Sequence, residues 1–457
     1  MSKVPKLFNR YNPKTSKEEL VILSKDQHEA VNSIVESSEP LHFITGEAGC
    51  GKSFAVHALK SFHPIKVTAP TARAAYLIDG QTLDGFLNFN REYSRFNNKN
   101  GLSDILNGCP RDILVDEGSM FGHNFFEAVY PVLKDYGKRL IIVGDFAQAP
   151  PVKDRWVTES SMFKPVIHRL KTNYRQSEEF LLTTLNNIRQ GIVTPEIDEF
   201  MTELSFKKAP SHSDDSVVIL YATNSKANNY NAKKLSSLTT EKFTTKATVS
   251  SGNGSWLGLT DKEKEKIISD CGFAHEDLFA VGAKVIMTKN NYNDGYINSD
   301  VGTIVGIESH QEEVCDSMGF SDERKASKIL VQLERNNLVI EVVNIVTVIK
   351  DAYDNPKYEV KGMPIKLGWA VTIHKSQGGT FDRVHFDVSS LSGFRFAAKK
   401  AALETGKSEE DASKEADNAL HGLCYVGLSR VTTIDGLSIT GWNKKYVQTN
   451  DNIKCWL

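Results

Sequence analysis

A chain of 457 residues is longer than one ordinary domain, and its 40% hydrophobic and 25% charged residues suit a soluble globular protein with more than one core. No run of about 18 or more apolar residues occurs, and the polar, basic start MSKVPKLFNRYNPKTSKEEL has no apolar stretch, so neither a membrane span nor a secretion signal is expected. The formal net charge of −2 neither supports nor excludes a nucleic-acid partner, since a neutral total can hide a basic groove. Cys50, Cys109, Cys271, Cys315, Cys424 and Cys455 are scattered without a C-x-x-C pair, which argues against a zinc site or a disulfide framework and fits a reducing compartment.

Residues 20–150 alternate short apolar runs with helical stretches. LHFIT at 41–45 reads as a buried strand, and the segment after Lys52 reads as a helix. IKVTA at 65–69, DILVDE at 112–117 and RLIIVGD at 139–145 read as three further strands. This alternation predicts a parallel sheet in a doubly wound α/β domain. SVVILYAT at 216–223 opens a second set. Short β patterns then crowd residues 275–350: AKVIMT at 283–288, VGTIVGI at 301–307, KILVQL at 328–333 and LVIEVVNIVTVI at 338–349. Without helices between them, they predict a small inserted barrel. The α/β pattern returns at 366–378, with strands expected at 382–389 and 436–441. Residues 395–420, rich in Ala, Lys and Glu, read as an exposed helical excursion.

GEAGCGKS at 46–53 fits G-x-x-x-x-G-K-[ST] at every fixed position, between a predicted strand and a predicted helix. Backbone N–H groups of such a loop surround phosphate oxygens, which assigns Gly46, Glu47, Ala48, Gly49, Cys50 and Gly51 to a nucleoside triphosphate. Lys52 would neutralise β- and γ-phosphate charge, and Ser53 would ligate Mg²⁺. VDE at 115–117 ends a later strand. There Asp116 would hold Mg²⁺ and Glu117 would activate the attacking water.

A phosphate loop does not state what hydrolysis drives, and the remaining motifs bear on that. They are LSKDQHEAV at 23–31, GDFAQAPPV at 144–152, LKTNYRQ at 170–176, WAVTIHKSQGGTF at 369–381 and YVGLSRV at 425–431. Gln148 is placed to sense a γ-phosphate. In this order the motifs resemble the superfamily 1B helicases, the branch that includes RecD, Dda and the Pif-type enzymes, from about Leu23 to Val431. The resemblance implies an α/β fold of two RecA-like P-loop domains, with a small SH3-like β-barrel in the second and a short insertion in the first. It suggests an extension at 1–20, a first domain at 21–165 with an insertion at about 86–110, a second at 166–280 and 360–457, and the barrel at 281–359. It further implies ATP and Mg²⁺ as cofactors, Gln27 on the adenine, and Arg175 and Arg430 as arginine fingers.

By the same resemblance, Thr71 in TAPTARAA, Thr82 in QTLDGFL, Thr223 and Asn224 in ATNSKANNYN, and Thr372, His374, Lys375 and Ser376 contact single-stranded DNA. Hydroxyls, amides and a lysine suit phosphate contacts, which position a strand without reading its sequence. Asp84 and Ser299 stand where the family usually has His and Gly. Between 89 and 108, Phe89, Tyr93 and Phe96 alternate with basic residues, as a base-stacking wedge or as a local hydrophobic anchor. The implied activity is ATP-dependent unwinding of forked or tailed duplex DNA, moving 5′ to 3′. The compact length without appended domains suggests a phage or bacterial enzyme, expected in the cytoplasm of a bacterial or phage-infected cell. Replication or recombination proteins are the expected protein partners. Two other readings stand beside it: a translocase or motor subunit that displaces proteins from DNA, and a loader with weak ATPase.

Overall fold

The structure is a computed structural model. It describes residues 5–456 except 6, 13–16, 48, 71–73, 76–77, 79, 91–94, 97–98, 152–153, 173–177, 208–209, 212–213, 252–257, 290, 292–293, 297–299, 316–320, 351–355, 378 and 380. The chain divides into two compact units, residues 1–227 with 371–457, and residues 228–370.

Beside the two-stranded pairings of Leu7–Asn12 with Lys17–Ile22 and of Phe89–Asn90 with Arg95–Phe96, the described residues of the first unit form two larger sheets. One contains β1 (Leu41–Gly46), β2 (Ile65–Ala69), β3 (Gln81–Thr82), β4 (Asp112–Val115), β5 (Arg139–Gly144) and β6 (Val166–Leu170), in the order β6-β1-β5-β4-β2-β3, with every pairing parallel. β1, β4 and β5 are buried along their whole length, as near-continuous apolar runs require when both faces are covered. β6 pairs in parallel with β1, Val166 opposite His42 through Leu170 opposite Gly46. Val166–Leu170 therefore forms the edge of this sheet. The other sheet is β7 (Val218–Tyr221), β8 (Ala370–Thr372), β9 (Val384–Asp387) and β10 (Leu437–Thr440), ordered β8-β7-β9-β10.

Helix α1 (Lys25–Glu36) starts where Ser24 and Gln27 form a capping box, and it buries Gln27, Ala30, Val31 and Ile34 on one face. α2 (Lys52–Phe62) follows the phosphate loop, burying Ala55, Val56, Ala58 and Leu59. Between β3 and β4, Phe89–Asn90 pairs with Arg95–Phe96, and α3 (Lys99–Gly108) buries Leu102 and Leu106 in the core. Phe89 is itself buried, 5.0 Å from Phe96 and 4.9 Å from Phe125 between ring centroids. That packing favours the local anchor over a wedge for Phe89; Tyr93 lies outside the described residues. The excursion after β9 is a pair of helices, Ser390–Glu404 and Glu409–Asn418, joined by an Arg395–Asp417 bridge.

The second unit is mostly antiparallel. Its five-stranded sheet runs in the order Val339–Val342, Ser321–Leu333, Val301–Cys315, Lys284–Met287, Ile365–Leu367, around buried Val285, Ile304, Ile329, Val331 and Trp369. The unit begins well before residue 281, because Lys242–Lys246 pairs with Glu276–Ala280 and Thr248–Ser251 pairs with Pro356–Gly362. Ser299 lies outside the described residues.

One buried ion pair fastens the first sheet to α1. Asp112 and Arg139 face each other across β4 and β5, with Arg139 Nε 2.6 Å from Asp112 Oδ1. Arg139 also donates to the Ile34 carbonyl at 3.1 Å and to the Ser37 carbonyl at the end of α1, and His63 meets Asp112 at 2.7 Å. Removing one partner of a buried pair leaves an uncompensated charge. Arg139→Leu is expected to lower unfolding free energy by about 3–5 kcal/mol, read as a shifted urea midpoint; an unchanged midpoint would deny the pair any structural role.

Candidate functional site

Parallel pairing sets the carboxyl ends of β1, β4 and β5 side by side, with Thr45 opposite Gly144 and Val115 opposite Ile142. The phosphate loop leaves β1 at Gly46, the Asp–Glu pair leaves β4 at Val115, and GDFAQ leaves β5 at Gly144. This is the edge at which open α/β sheets take ligands.

The loop is shaped for close approach. Gly49 and Gly51 sit at φ 88° and 77°, a region costly for any side chain, and Gly51 caps α2. A Cβ on Gly46 would lie 2.6 Å from both Cys50 Sγ and the Leu170 carbonyl. Lys52 Nζ donates to the carbonyls of Gly46 at 2.7 Å and Glu47 at 2.8 Å. Ser53 is exposed at the start of α2, and Ala48 lies outside the described residues. Gln27 is buried; its Oε1 accepts from Ser24 N–H at 3.0 Å, and its Nε2 donates to the carbonyls of Cys50 at 3.4 Å and Gly51 at 3.3 Å. Its amide thus ties α1 to the phosphate loop.

Asp116 is anchored by its N–H on the Thr68 carbonyl at 2.9 Å and accepts from Glu117 N–H at 2.9 Å. Burial, then repulsion from Glu117, pushes its carboxyl up to about 7, while the Glu117 N–H and the Lys52 charge pull it down. Glu117 holds φ 52°, a strained backbone for a non-glycine residue, and such strain clusters at working sites.

In the GDFAQ turn, Gln148 is 6% exposed, and its Oε1 is buried without a hydrogen-bond partner. Asp145 is fully buried and accepts from Arg189 Nη2 at 2.8 Å, Arg189 Nε at 3.2 Å and the Tyr425 hydroxyl at 3.3 Å. Burial raises the Asp145 carboxyl, but the Arg189 charge and then Lys52 outweigh it and hold it below the usual carboxylate range. Arg189 ends α4 (Glu179–Arg189), and no motif marks it in the sequence.

Thr82 caps the helix Leu83–Leu87 by accepting from Gly85 N–H. Thr223 is half-buried, and Asn224 is exposed at the start of α5 (Asn224–Ser237). In and before α6 (Ile373–Ser376), Thr372 and Ser376 are buried, His374 is half-buried near Phe394, and Lys375 is exposed. Ser376 Oγ donates to the Ile373 carbonyl at 2.7 Å, so this hydroxyl shapes its own turn. Arg430 is 2% exposed, just past α7 (Leu423–Leu428). Its guanidinium donates to the carbonyls of Val426 at 2.8 Å, Gly379 at 3.0 Å and Ser376 at 3.3 Å. Thr71 and Arg175 lie outside the described residues.

The residues present fit a triphosphate with Mg²⁺: a glycine cradle too tight for a Cβ, a lysine resting on loop carbonyls, a buried glutamine oxygen without a partner, and the oxygens of Ser53 and Asp116.

Residues 22–209 match the model of a family described as an AAA domain. The chain is 27% identical over 453 residues to the ATP-dependent DNA helicase Pif1 of Bdellovibrio bacteriovorus, spanning 93% of this chain and 89% of that protein. It is 29% identical over 382 residues to the ATP-dependent DNA helicase Pif1 of Campylobacter jejuni, spanning 76% and 83%. Among solved structures, the Pif1 helicase from Candida albicans matches with a TM-score of 0.75 at 23% identity, covering 95% of this chain and 98% of that one. Bacteroides Pif1 in complex with ADP-AlF3 and ssDNA matches at 0.68 and 21%, covering 94% and 95%. At these identities the structural likenesses carry the fold.

Phosphate-binding and metal-binding chemistry on adjoining strand ends is the mark of P-loop NTPases, and this chain is one. Its relatives narrow the class further. The chain is similar over most of its length to ATP-dependent DNA helicases named Pif1.

Asp116 generates a pH prediction. The folded state holds a proton up to about 7, which the unfolded chain releases near about 3.9. Its contribution to stability is fully present below the unfolded value and is lost as pH rises through about 7. Glu117→Gln removes the second cause of the shift, so the Asp116 midpoint should fall, as read by ¹³C NMR titration of the side-chain carboxyl. An unmoved midpoint would assign the whole shift to burial.

Proposed function

We propose that this chain is an ATP-driven DNA helicase that translocates 5′ to 3′ on single-stranded DNA and unwinds forked or tailed duplexes. The observation that supports it most is the meeting of the phosphate loop, Asp116–Glu117 and buried Gln148 at one strand edge, in a chain whose relatives are named ATP-dependent DNA helicases. The division of labour we read is two RecA-like domains with an inserted SH3-like barrel.

In this reading Lys52 leaves the carbonyls of Gly46 and Glu47 to neutralise β- and γ-phosphate charge. Ser53 and Asp116 would hold Mg²⁺, which supplies Lewis-acid stabilisation of charge on the phosphates. Glu117 orients the attacking water and takes its proton, and Gln148 reports the γ-phosphate. Gln27 contacts the adenine, exchanging its grip on the Cys50 and Gly51 carbonyls. Arg175 and Arg430 stabilise charge developing on the γ-phosphoryl, a contribution typically worth about 10³–10⁵ in rate. For Arg430 this means trading the carbonyls of Ser376 and Gly379 for phosphate oxygens. The strand contacts we assign are Thr71, Thr82, Thr223, Asn224, Thr372, His374, Lys375 and Ser376. Lys375 and Asn224 are exposed and suit phosphates directly, while buried Thr372 and Ser376 hold the turn that presents Lys375. Replication, recombination and repair all use such a motor.

Lys52→Ala is expected to abolish DNA-stimulated ATP hydrolysis while single-stranded DNA affinity stays within about threefold, since phosphate contacts to DNA lie elsewhere. Full hydrolysis by the purified variant would remove the central assignment. Duplexes carrying only a 5′ or only a 3′ single-stranded tail read the direction: unwinding is expected from the 5′ tail, and a preference for the 3′ tail would overturn the polarity.

A further inference from the structure

The GDFAQ turn is gripped on several sides by residues that lie far from it in sequence. Arg189 holds the Asp145 carboxylate with two nitrogens, and Tyr425 in α7 adds its hydroxyl. His421 Nε2 donates to the Phe146 carbonyl at 2.7 Å, while its Nδ1 accepts from Asn450 N–H at 2.8 Å. Those two bonds select one neutral tautomer, and burial holds the ring below its usual titration range. Gly422, at φ 68°, caps α7, and a Cβ there would lie 2.2 Å from the Ala147 carbonyl and 2.7 Å from the Gln148 carbonyl carbon. The helix that starts against Gln148 therefore ends beside Arg430, whose guanidinium holds the Ser376 and Gly379 carbonyls.

We propose that Arg189, Tyr425 and His421 are positioning residues that fix the Asp145–Gln148 turn and couple the state of Gln148 through α7 and Arg430 to Ser376 and Gly379. The proposal rests on the helicase reading above, because it links the turn that meets the γ-phosphate to the segment assigned to the DNA strand. Every link is a hydrogen bond or a van der Waals contact between named groups, and the path is contiguous. The Asp145 end is rigid, since a buried carboxylate cannot drop its guanidinium without a large penalty. The His421 end is rigid because its ring is satisfied at both nitrogens. What remains adjustable is Gln148, with its amide oxygen unpartnered.

The test is Tyr425→Phe, which removes one hydroxyl and keeps the ring, with Arg189→Lys as a second variant that keeps charge but loses the two-nitrogen grip. The ratio of DNA-saturated to DNA-free ATP turnover should fall about fivefold, at the low end of typical coupling between sites. The KM for ATP and the melting temperature of Tyr425→Phe should hold. Faster deuterium exchange is expected at the amides of Ala147 and Gln148. A wild-type turnover ratio, or a loss that follows the melting temperature alone, overturns the proposal. Wild-type protein without DNA-stimulated turnover would sink the helicase reading instead. The positioning role would then stand or fall on the exchange at Ala147 and Gln148, with unchanged exchange overturning it.

Discussion

A carboxylate denied water must find a cation, and Asp145 is fully buried at the end of the central strand β5. That requirement fixes more than one contact. It brings the last residue of α4 against the turn after β5, and it draws Tyr425 toward the same oxygens. With Asp145 held, the chain from Phe146 to Gln148 has little freedom, and Gln148 stays at the edge where β1 and β4 also end. The parallel sheet supplies the shared edge, and the buried ion pair decides how the elements after it pack there.

The same logic recurs at smaller scale. Asp112 and Arg139 fasten α1 to the sheet, and the Gln27 amide ties the start of α1 to the phosphate loop. The loop is thus braced through a helix whose two ends are each tied down by polar groups. Rigid support of this kind places groups more accurately than apolar packing alone, because hydrogen bonds have direction.

The parts legible in the sequence are those whose chemistry is contiguous. GEAGCGKS, the Asp116–Glu117 pair and GDFAQ declare themselves because each needs particular residues at fixed neighbouring positions. The parallel sheet was readable from long apolar runs, since a strand covered on both faces has little room for polar residues. What stayed hidden is non-local. Arg189 lies 44 residues from Asp145, and Tyr425 lies 280 away, with no spacing rule to connect them. For the edge strand Val166–Leu170, only its pairing partner, not its composition, says which sheet it joins. Strands at 242–251 likewise show their membership only through pairing. Burial of Thr372 and Ser376 was equally unreadable, because a hydroxyl that shapes a turn and one that meets a ligand look alike in a string of letters.

Lys52, with its ammonium on the carbonyls of Gly46 and Glu47, makes the phosphate loop its own ligand. Any incoming anion competes with those two oxygens, and its apparent affinity is scaled by the fraction of lysine it can release. A nucleoside or monophosphate that cannot reach the ammonium meets a loop closed on itself. A longer phosphate chain replaces both carbonyls with charged oxygens, which bind an ammonium more strongly than neutral ones. In the function proposed above, the loop would therefore measure phosphate chain length, releasing the lysine only to ligands long enough to claim it.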